Sequence, residues 1–527
     1  MHQTETIVVL FALVATLVVI ARRVDLPYPV LLVLGGLGLS FIPRLPQITL
    51  NPEIVFFFFL PALIYPAALF TSWRDFRRNL RPILFLSIGL VLTTTVTVAW
   101  VAHAIVPGFP WAAAFALGAI VSPPDVIAAT AVIRRLSVPH RVETILEGES
   151  LVNDATALVA LQFAVVALVT GTFSLNHAAI RFVVVAAGGI GFGLLVGYAV
   201  RAMQRNLDDP PVQITLSLLT PFLAYLPAER MHLSGVLATA AAGVYLGWHS
   251  PLIVGARYRL QAFAFWEMVV FLLNGFVFIA IGLQLPGILR ALKGESLVGL
   301  IDDALLICAT VVLSRIAWVV IGTYVPRLLS QRLRARDPIP PWQEVAIIAW
   351  AGMRGVVSLA AAFALPFTLN DGTPFAARSY ILFFTFCVIL TTLVGQGLTL
   401  PWLIRKLKVR DDGSTDEEER SARLSANTAA IDYLKNVLKG DHFSPDIVAR
   451  LRTEYDDRLD QLQRCCEDSE NPSGEIVTPQ YQRLQKEALG VERKVIITLR
   501  NQHVINDEAL RRIQRDLDLA EARLIGG

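Results

Sequence analysis

The stretch Gly148-Glu149-Ser150-Leu151-Val152-Asn153-Asp154 heads an apolar run that continues from Ala155 to Val169. It places two carboxylates, a hydroxyl and an amide in a segment that is otherwise hydrocarbon and long enough to cross a bilayer. On a helix turning about 100° per residue, Ser150, Asn153 and Asp154 all fall within about 140° of Glu149, so the four polar groups share one face. An ionised side chain at mid-membrane costs about 2.5 to 3.5 kcal/mol on insertion scales, so such a face turns toward a bundle interior or a watery cavity. Oxygen predominates on it, which suits a hard cation or a proton. The plainer alternative is an interfacial cap, in which Ser150 or Asn153 satisfies free backbone groups of an ordinary membrane helix.

The rest of the chain supplies the membrane around this stretch. Of 527 residues, 54% are hydrophobic and 17% charged, where a soluble domain carries about 25% charged residues. The composition is that of a polytopic membrane protein, and the net charge of +3 says little about partners. Cys308 and Cys387 lie in apolar segments and Cys465-Cys466 in a polar one, which is neither a disulfide framework nor a metal-ligand spacing. Met1-His2-Gln3-Thr4-Glu5-Thr6 lacks the positive head of a signal peptide, so the apolar run from Ile7 to Ile20, closed by Arg22-Arg23, reads as a retained helix that starts outside.

With about 20 apolar residues needed per span, thirteen spans are predicted, at 5–22, 28–44, 52–71, 82–106, 111–132, 147–170, 180–201, 212–228, 232–249, 262–286, 299–325, 343–367 and 378–403. Cationic residues test this division independently. Segments assigned inside are arginine-rich, with Arg74, Arg77, Arg78 and Arg81 in one and Arg327, Arg332, Arg334 and Arg336 in another. Those assigned outside hold Arg44, Arg181, Arg230, Arg290, Lys293 and Arg378. The bias alternates loop by loop, as the positive-inside rule requires, and leaves the N-terminus outside and the C-terminus in the cytoplasm.

Beyond residues 1–405, which form the membrane domain, the character of the chain changes. Residues 406–420 read as an acidic, solvated linker, and 421–527 as a cytoplasmic helical region. Helical spacing recurs at Ile431, Leu434, Val437 and Leu438 and again at Ile447, Leu451, Tyr455, Leu459 and Leu462, with Ser444-Pro445-Asp446 as a start signal. Further helices are predicted over 480–500 and 507–524. A regulatory and a dimerising or packing role are equally open for this tail.

Two spans besides the opening one are chemically odd. Ser122-Pro123-Pro124-Asp125 interrupts the fifth, and paired prolines remove backbone donors and break a helix. Ala351-Gly352-Met353-Arg354-Gly355 interrupts the twelfth, where Arg354 could neutralise freed carbonyls. Each is the middle member of a triplet, spans four to six (about 82–170) and eleven to thirteen (about 299–403). Interruptions at matching positions point to an inverted repeat with a midplane site. Glu149 needs a buried partner, for which Arg315 and Arg354 are the two candidates. No phosphate-binding glycine loop and no H-E-x-x-H pair occurs, the eight histidines are scattered, and the arginine-rich loops are orientation signals rather than a nucleic-acid surface.

Together, Gly148 to Asp154, Ser122-Pro123-Pro124-Asp125 and Gly352-Met353-Arg354-Gly355 resemble the monovalent cation:proton antiporter family 1, the sodium/proton exchangers and bacterial NhaP-type antiporters. Ser234-Gly235-Val236-Leu237-Ala238, Phe271-Leu272-Leu273-Asn274-Gly275 and Gly282-Leu283-Gln284-Leu285 look like the bacterial branch. The resemblance covers roughly residues 5–405. It implies an all-α, thirteen-span homodimer of the bacterial inner membrane, with discontinuous, crossed fifth and twelfth spans. By position, Asp154 would be the carboxylate that takes either cation or proton. Asn153, Ser150, Asp125 and the Pro124 carbonyl would complete the site, with Asp154, Asp125 and Ser150 as direct ligands. Arg315 would pair with Glu149, and Arg354 would stabilise the interrupted helix. Many relatives place threonine and proline around the aspartate where this chain has Pro124 and Val126.

The mechanism expected is alternating access. Burial disfavours the charge of Asp154 and a bound cation favours it, so Na⁺ (or Li⁺ or K⁺) and H⁺ compete for one group. Exchange would then be electroneutral and one for one, with no cofactor and no partner beyond ions, lipid and a second copy. A cation channel would use the same oxygens without proton coupling, and a membrane sensor would signal through the tail.

Overall fold

The computed structural model describes residues 3–24, 26–41, 51–133, 136, 138–170, 175–292, 295–368, 374–409, 413–437 and 445–467, with scattered positions between 489 and 519. Two compact units result, Met1–Asp411 and Asp412–Gly527.

The first unit is helical. In chain order its helices are α1 (Gln3–Arg23), α2 (Tyr28–Ser40), α3 (Pro52–Phe70), α4 (Leu80–Ile105), α5 (Trp111–Val121), α6 (Val126–Ile133), α7 (His140–Thr170) and α8 (Leu175–Gln204). They continue with α9 (Pro210–Arg230), α10 (Gly235–Ile253), α11 (Ala256–Leu283), α12 (Leu297–Leu329), α13 (Trp342–Trp350), α14 (Val356–Phe363) and α15 (Ala377–Leu407). Helix occupies every stretch predicted as a span. Among the described residues, eight helices are long and apolar enough to cross a membrane.

The stretches at 111–132 and 343–367 are each divided into two half-helices, α5 and α6 in one and α13 and α14 in the other. Composition accounts for both divisions. Pro123 and Pro124 cannot donate to a continuing ladder, and Ser122 Oγ turns back to donate to the Ala119 carbonyl at 3.0 Å. In the second break the helical ladder stops at Ala351, whose N–H still reaches the Ile347 carbonyl at 2.8 Å, and the backbone stays open to Gly355.

Packing divides these helices into two groups. One collects α2, α3, α8, α9, α10 and α11, and the other collects α4, α5, α7 and α12 to α15. Alanine at 113, 114, 116 and 119 gives α5 a thin, fully buried waist, which lets α4, α7 and α15 close around it. π-helical turns at Val55–Phe59, Phe85–Leu90 and Thr391–Gln396 interrupt α3, α4 and α15. Thr94 meets Ser314 across α4 and α12 at 3.3 Å, while Thr95 and Thr97 donate to carbonyls one turn back.

The second unit contains α16 (Ser414–Val437) and α17 (Pro445–Glu467), which pack on each other. Helix thus begins at Ser414, inside the stretch read as linker. Ile431, Leu434 and Val448 are buried there. Most of 480–500 and 507–524 lies outside the described residues.

Candidate functional site

The two helix breaks meet. The backbone N–H of Asp125 donates to the Met353 carbonyl at 2.6 Å, joining the first break to the second main chain to main chain. Arg354, fully buried, reaches the other way: its Nε donates to the Val121 carbonyl at 3.0 Å, and Nη1 donates to the Gly352 carbonyl. Its own N–H is held at 3.1 Å by Thr392 Oγ1, from the π-helical turn of α15. A guanidinium therefore sits at the carbonyl end of α5, where the helix dipole is negative.

A second arginine does the same for the other broken span. Arg315 of α12 donates through Nε and Nη2 to the Ile348 carbonyl, at 3.3 and 3.0 Å, near the end of α13. It also grips Glu149 of α7 through two hydrogen bonds, Nη1 to Oε1 at 2.6 Å and Nη2 to Oε2 at 3.0 Å. Both side chains are almost wholly out of contact with solvent, at 0% and 1% exposure. Between the two candidate partners for Glu149, Arg315 makes the direct pair, and Arg354 is spent on backbone carbonyls. The bidentate geometry fixes the rotation of α7 as well as neutralising the charge.

That rotation aims the remaining polar groups of α7. Asn153 is buried, and its Nδ2 donates to the Pro124 carbonyl at 2.9 Å, while its Oδ1 is buried with no hydrogen-bond partner. Asp154 is 8% exposed, and Asp125 is the charged neighbour that bears on it. Ser150, half-buried, stands one turn before Asp154 on the same helix. The Asp125 carboxylate lies so close to Gly355 that a β-carbon there would collide with it. Asp125 thus sits where α6 and α14 both begin, and two helix N-termini favour its negative charge.

The oxygens gathered here are two carboxylates, an unpartnered amide oxygen and a hydroxyl. Among the described residues no group of three or more His, Cys, Asp or Glu side chains could hold a metal ion. Oxygen donors of this kind suit a hard cation.

A cavity of about 450 Å³ runs along α7 beside this cluster, lined in part by Phe56, Ala155, Leu158, Tyr225, Glu229 and Ser234. Tyr225, on the wall of this cavity, is within electrostatic reach of both Asp154 and Glu229. Glu229 accepts from the Gly235 N–H at 2.8 Å. In the sequence Glu229 lies between the predicted spans 212–228 and 232–249 and drew no functional expectation. Its available signal was a carboxylate closing an apolar run.

The family description "Sodium/hydrogen exchanger, transmembrane" matches residues 9–406 of this chain. An uncharacterised Na⁺/H⁺ exchanger of Mycobacterium tuberculosis is 39% identical over 98% of this chain and 96% of its own length. A sodium, potassium, lithium and rubidium/H⁺ antiporter of Bacillus pumilus is 33% identical over 87% of this chain and 69% of its own. In three dimensions the chain is similar to the sodium proton antiporter MjNhaP1 of Methanocaldococcus jannaschii, with a TM-score of 0.61 at 20% identity, covering 77% of this chain and 99% of that one.

Proposed function

This chain belongs to the sodium/hydrogen exchanger family, and we propose that it exchanges a monovalent cation, Na⁺ foremost, for H⁺ by presenting Asp154 alternately to the two sides of the membrane. The observation that carries the reading is the position of Asp154: buried, next to a second carboxylate, and beside two interrupted helices that touch. Burial opposes the charge and an approaching cation favours it, so either a proton or a cation satisfies the group, and each displaces the other.

Asp125, Ser150 and the free Oδ1 of Asn153 are the further oxygens offered to the ion. The Pro124 carbonyl acts through Asn153, whose Nδ2 it holds. Glu149, Arg315 and Arg354 keep the half-helices in place and stay out of the exchange. Since only Asp154 changes occupancy, one proton leaves for each cation that enters, and no net charge moves. The cavity lined by Tyr225 supports one access route. It reaches Arg181, which the arginine bias assigns outside, and His232, at the start of the predicted span 232–249. The chain works as a homodimer in the plasma membrane, with its N-terminus outside and its C-terminus in the cytoplasm. The Bacillus pumilus relative's name includes four alkali cations, and the proposed selectivity extends in the same way to K⁺ and Li⁺.

Purified protein in vesicles enclosing a pH-sensitive dye tests the assignment. An imposed Na⁺ gradient should move lumenal pH with the parent and leave it still with Asp154→Asn at unchanged fold and orientation. Undiminished exchange by that variant overturns the role of Asp154.

A further inference from the structure

At the arginine-rich end of the membrane unit, three helices that approach from different directions place guanidinium groups around a single carboxylate. Arg81 comes from the first turn of α4, Arg141 from the first turn of α7 and Arg327 from the last turn of α12. Asp337 comes from the segment that leads into α13. The carboxylate is already divided among them. Oδ1 accepts from Arg141 Nη2 at 2.8 Å, and Oδ2 accepts from Arg327 Nη2 at 2.5 Å. Arg327 spends its other donors on the carbonyls of Asp337 and Thr323. Arg81 is left 3.7 Å from Oδ2, an ion pair too long for a hydrogen bond.

Three positive charges thus face Asp337 and one further carboxylate, Glu344, on the wall of an adjoining cavity of about 50 Å³ whose apolar floor includes Phe85 and Ile348. Arg81 and Arg141 are 42% and 36% exposed, so their unused donors are open to an incoming ligand, whereas Arg327 is enclosed. Planar guanidinium forks with free donors at the mouth of a small pocket match the three acceptor oxygens of a phosphate group, which arginine binds in the bidentate manner it uses for carboxylates.

We infer that the arginine cage around Asp337 is a binding site for a phosphate group, which takes the free donors of Arg81 and Arg141 and shares the cage with Asp337. Free phosphate and the headgroup of an anionic phospholipid offer the same chemistry. A bound phosphate would tie together the ends of α4, α7 and α12, which belong to both triplets that carry a broken helix. The inference does not depend on which ion Asp154 carries.

The test is thermal unfolding of the purified full chain in detergent, at constant pH and ionic strength. One arm titrates Tris phosphate against Tris chloride, and the other titrates phosphatidylglycerol against phosphatidylcholine. A concentration-dependent rise in the midpoint is expected in at least one arm. It should be weakened about tenfold or more in apparent affinity by Arg81→Gln and by Arg141→Gln, each of which removes a charged donor, and kept by Arg405→Gln, which lies in a different pocket. A response to phosphate alone identifies a soluble oxyanion, and a response to the lipid alone identifies a headgroup. A response in both arms identifies the shared chemistry. Arg81→Gln removes no hydrogen bond to Asp337, so its folding is not at risk from the substitution. The inference is overturned if the parent responds in neither arm, or if both cage variants respond as the parent does.

Discussion

The N–H of Asp125 donates to the carbonyl of Met353 at 2.6 Å, so the two helix interruptions form one backbone junction and not two neighbouring kinks. Residues on either side of that junction cannot shift independently. Asp125, Arg354 and Gly355 therefore answer to the same geometry, and substitutions at one reach the others.

Gly355→Ala is the sharpest probe of the junction. A β-carbon at 355 would occupy the space of the Asp125 carboxylate, so either that carboxylate turns away or the backbone moves. Overpacking of this kind costs about 1 to 3 kcal/mol. Exchange in vesicles should fall by roughly tenfold or more, since misplacing a working group by about an ångström has effects of that size. Transport at the parental rate would show that the close contact is dispensable.

Removing one member of the Glu149 and Arg315 pair should cost more than removing both. Arg315→Met leaves a buried carboxylate without a counter-charge and should destabilise by about 3 to 5 kcal/mol. The double variant Glu149→Gln, Arg315→Met should regain part of that loss. The measurement is unfolding in detergent by heat or denaturant, and a double variant no more stable than Arg315→Met would mean that the pair is not energetically coupled.

Competition at one group has a kinetic signature. If H⁺ and Na⁺ share Asp154, the apparent KM for Na⁺ should rise as pH falls, approaching about tenfold per pH unit in the acid range by mass action at one site. The maximal rate at saturating Na⁺ need not follow it. An apparent KM that stays flat across two pH units would separate the proton site from the cation site.

Asp75, in the short helix Trp73–Arg78, supplies a pH effect outside the membrane spans. Burial pushes its carboxyl up, but the hydrogen bond from Ser72 and the charges of Arg74 and His140 outweigh it, so the group is held below the usual carboxylate range. His140 Nε2 stands 3.5 Å away, at the start of α7. A lowered folded-state value means that the contribution is present at neutral pH and lost as pH falls below about 4. The stability difference between parent and Asp75→Asn should accordingly shrink as pH falls through the acid range. A difference that grows on acidification would reverse the assignment.

The tail was less legible than the membrane unit. Helical spacing at Ile431 and Leu434 corresponds to buried positions in α16. The reading of 406–420 as linker missed that helix begins within it, at Ser414. A charged stretch looks solvated in either case, and only neighbouring contacts decide whether it coils or turns. The cage around Asp337 was invisible for a related reason. Arg81, Arg141 and Arg327 each read as orientation signals in separate loops, and nothing local shows that three loops converge.

By itself the sequence determined which segments are apolar enough to be helices in a membrane, where two of them must break, and that Glu149, Asn153 and Asp154 share a face. These properties follow from composition, proline chemistry and the turn of a helix, all of which act over a few residues. Tertiary structure alone decided that Arg315, 166 positions away, holds Glu149 while Arg354 caps α5, and that the Asn153 amide is tied to Pro124 with its oxygen left open. Two arginines in apolar spans are equivalent until packing brings one to a carboxylate and the other to a row of carbonyls, because buried charges are satisfied by whatever the fold places within hydrogen-bonding distance.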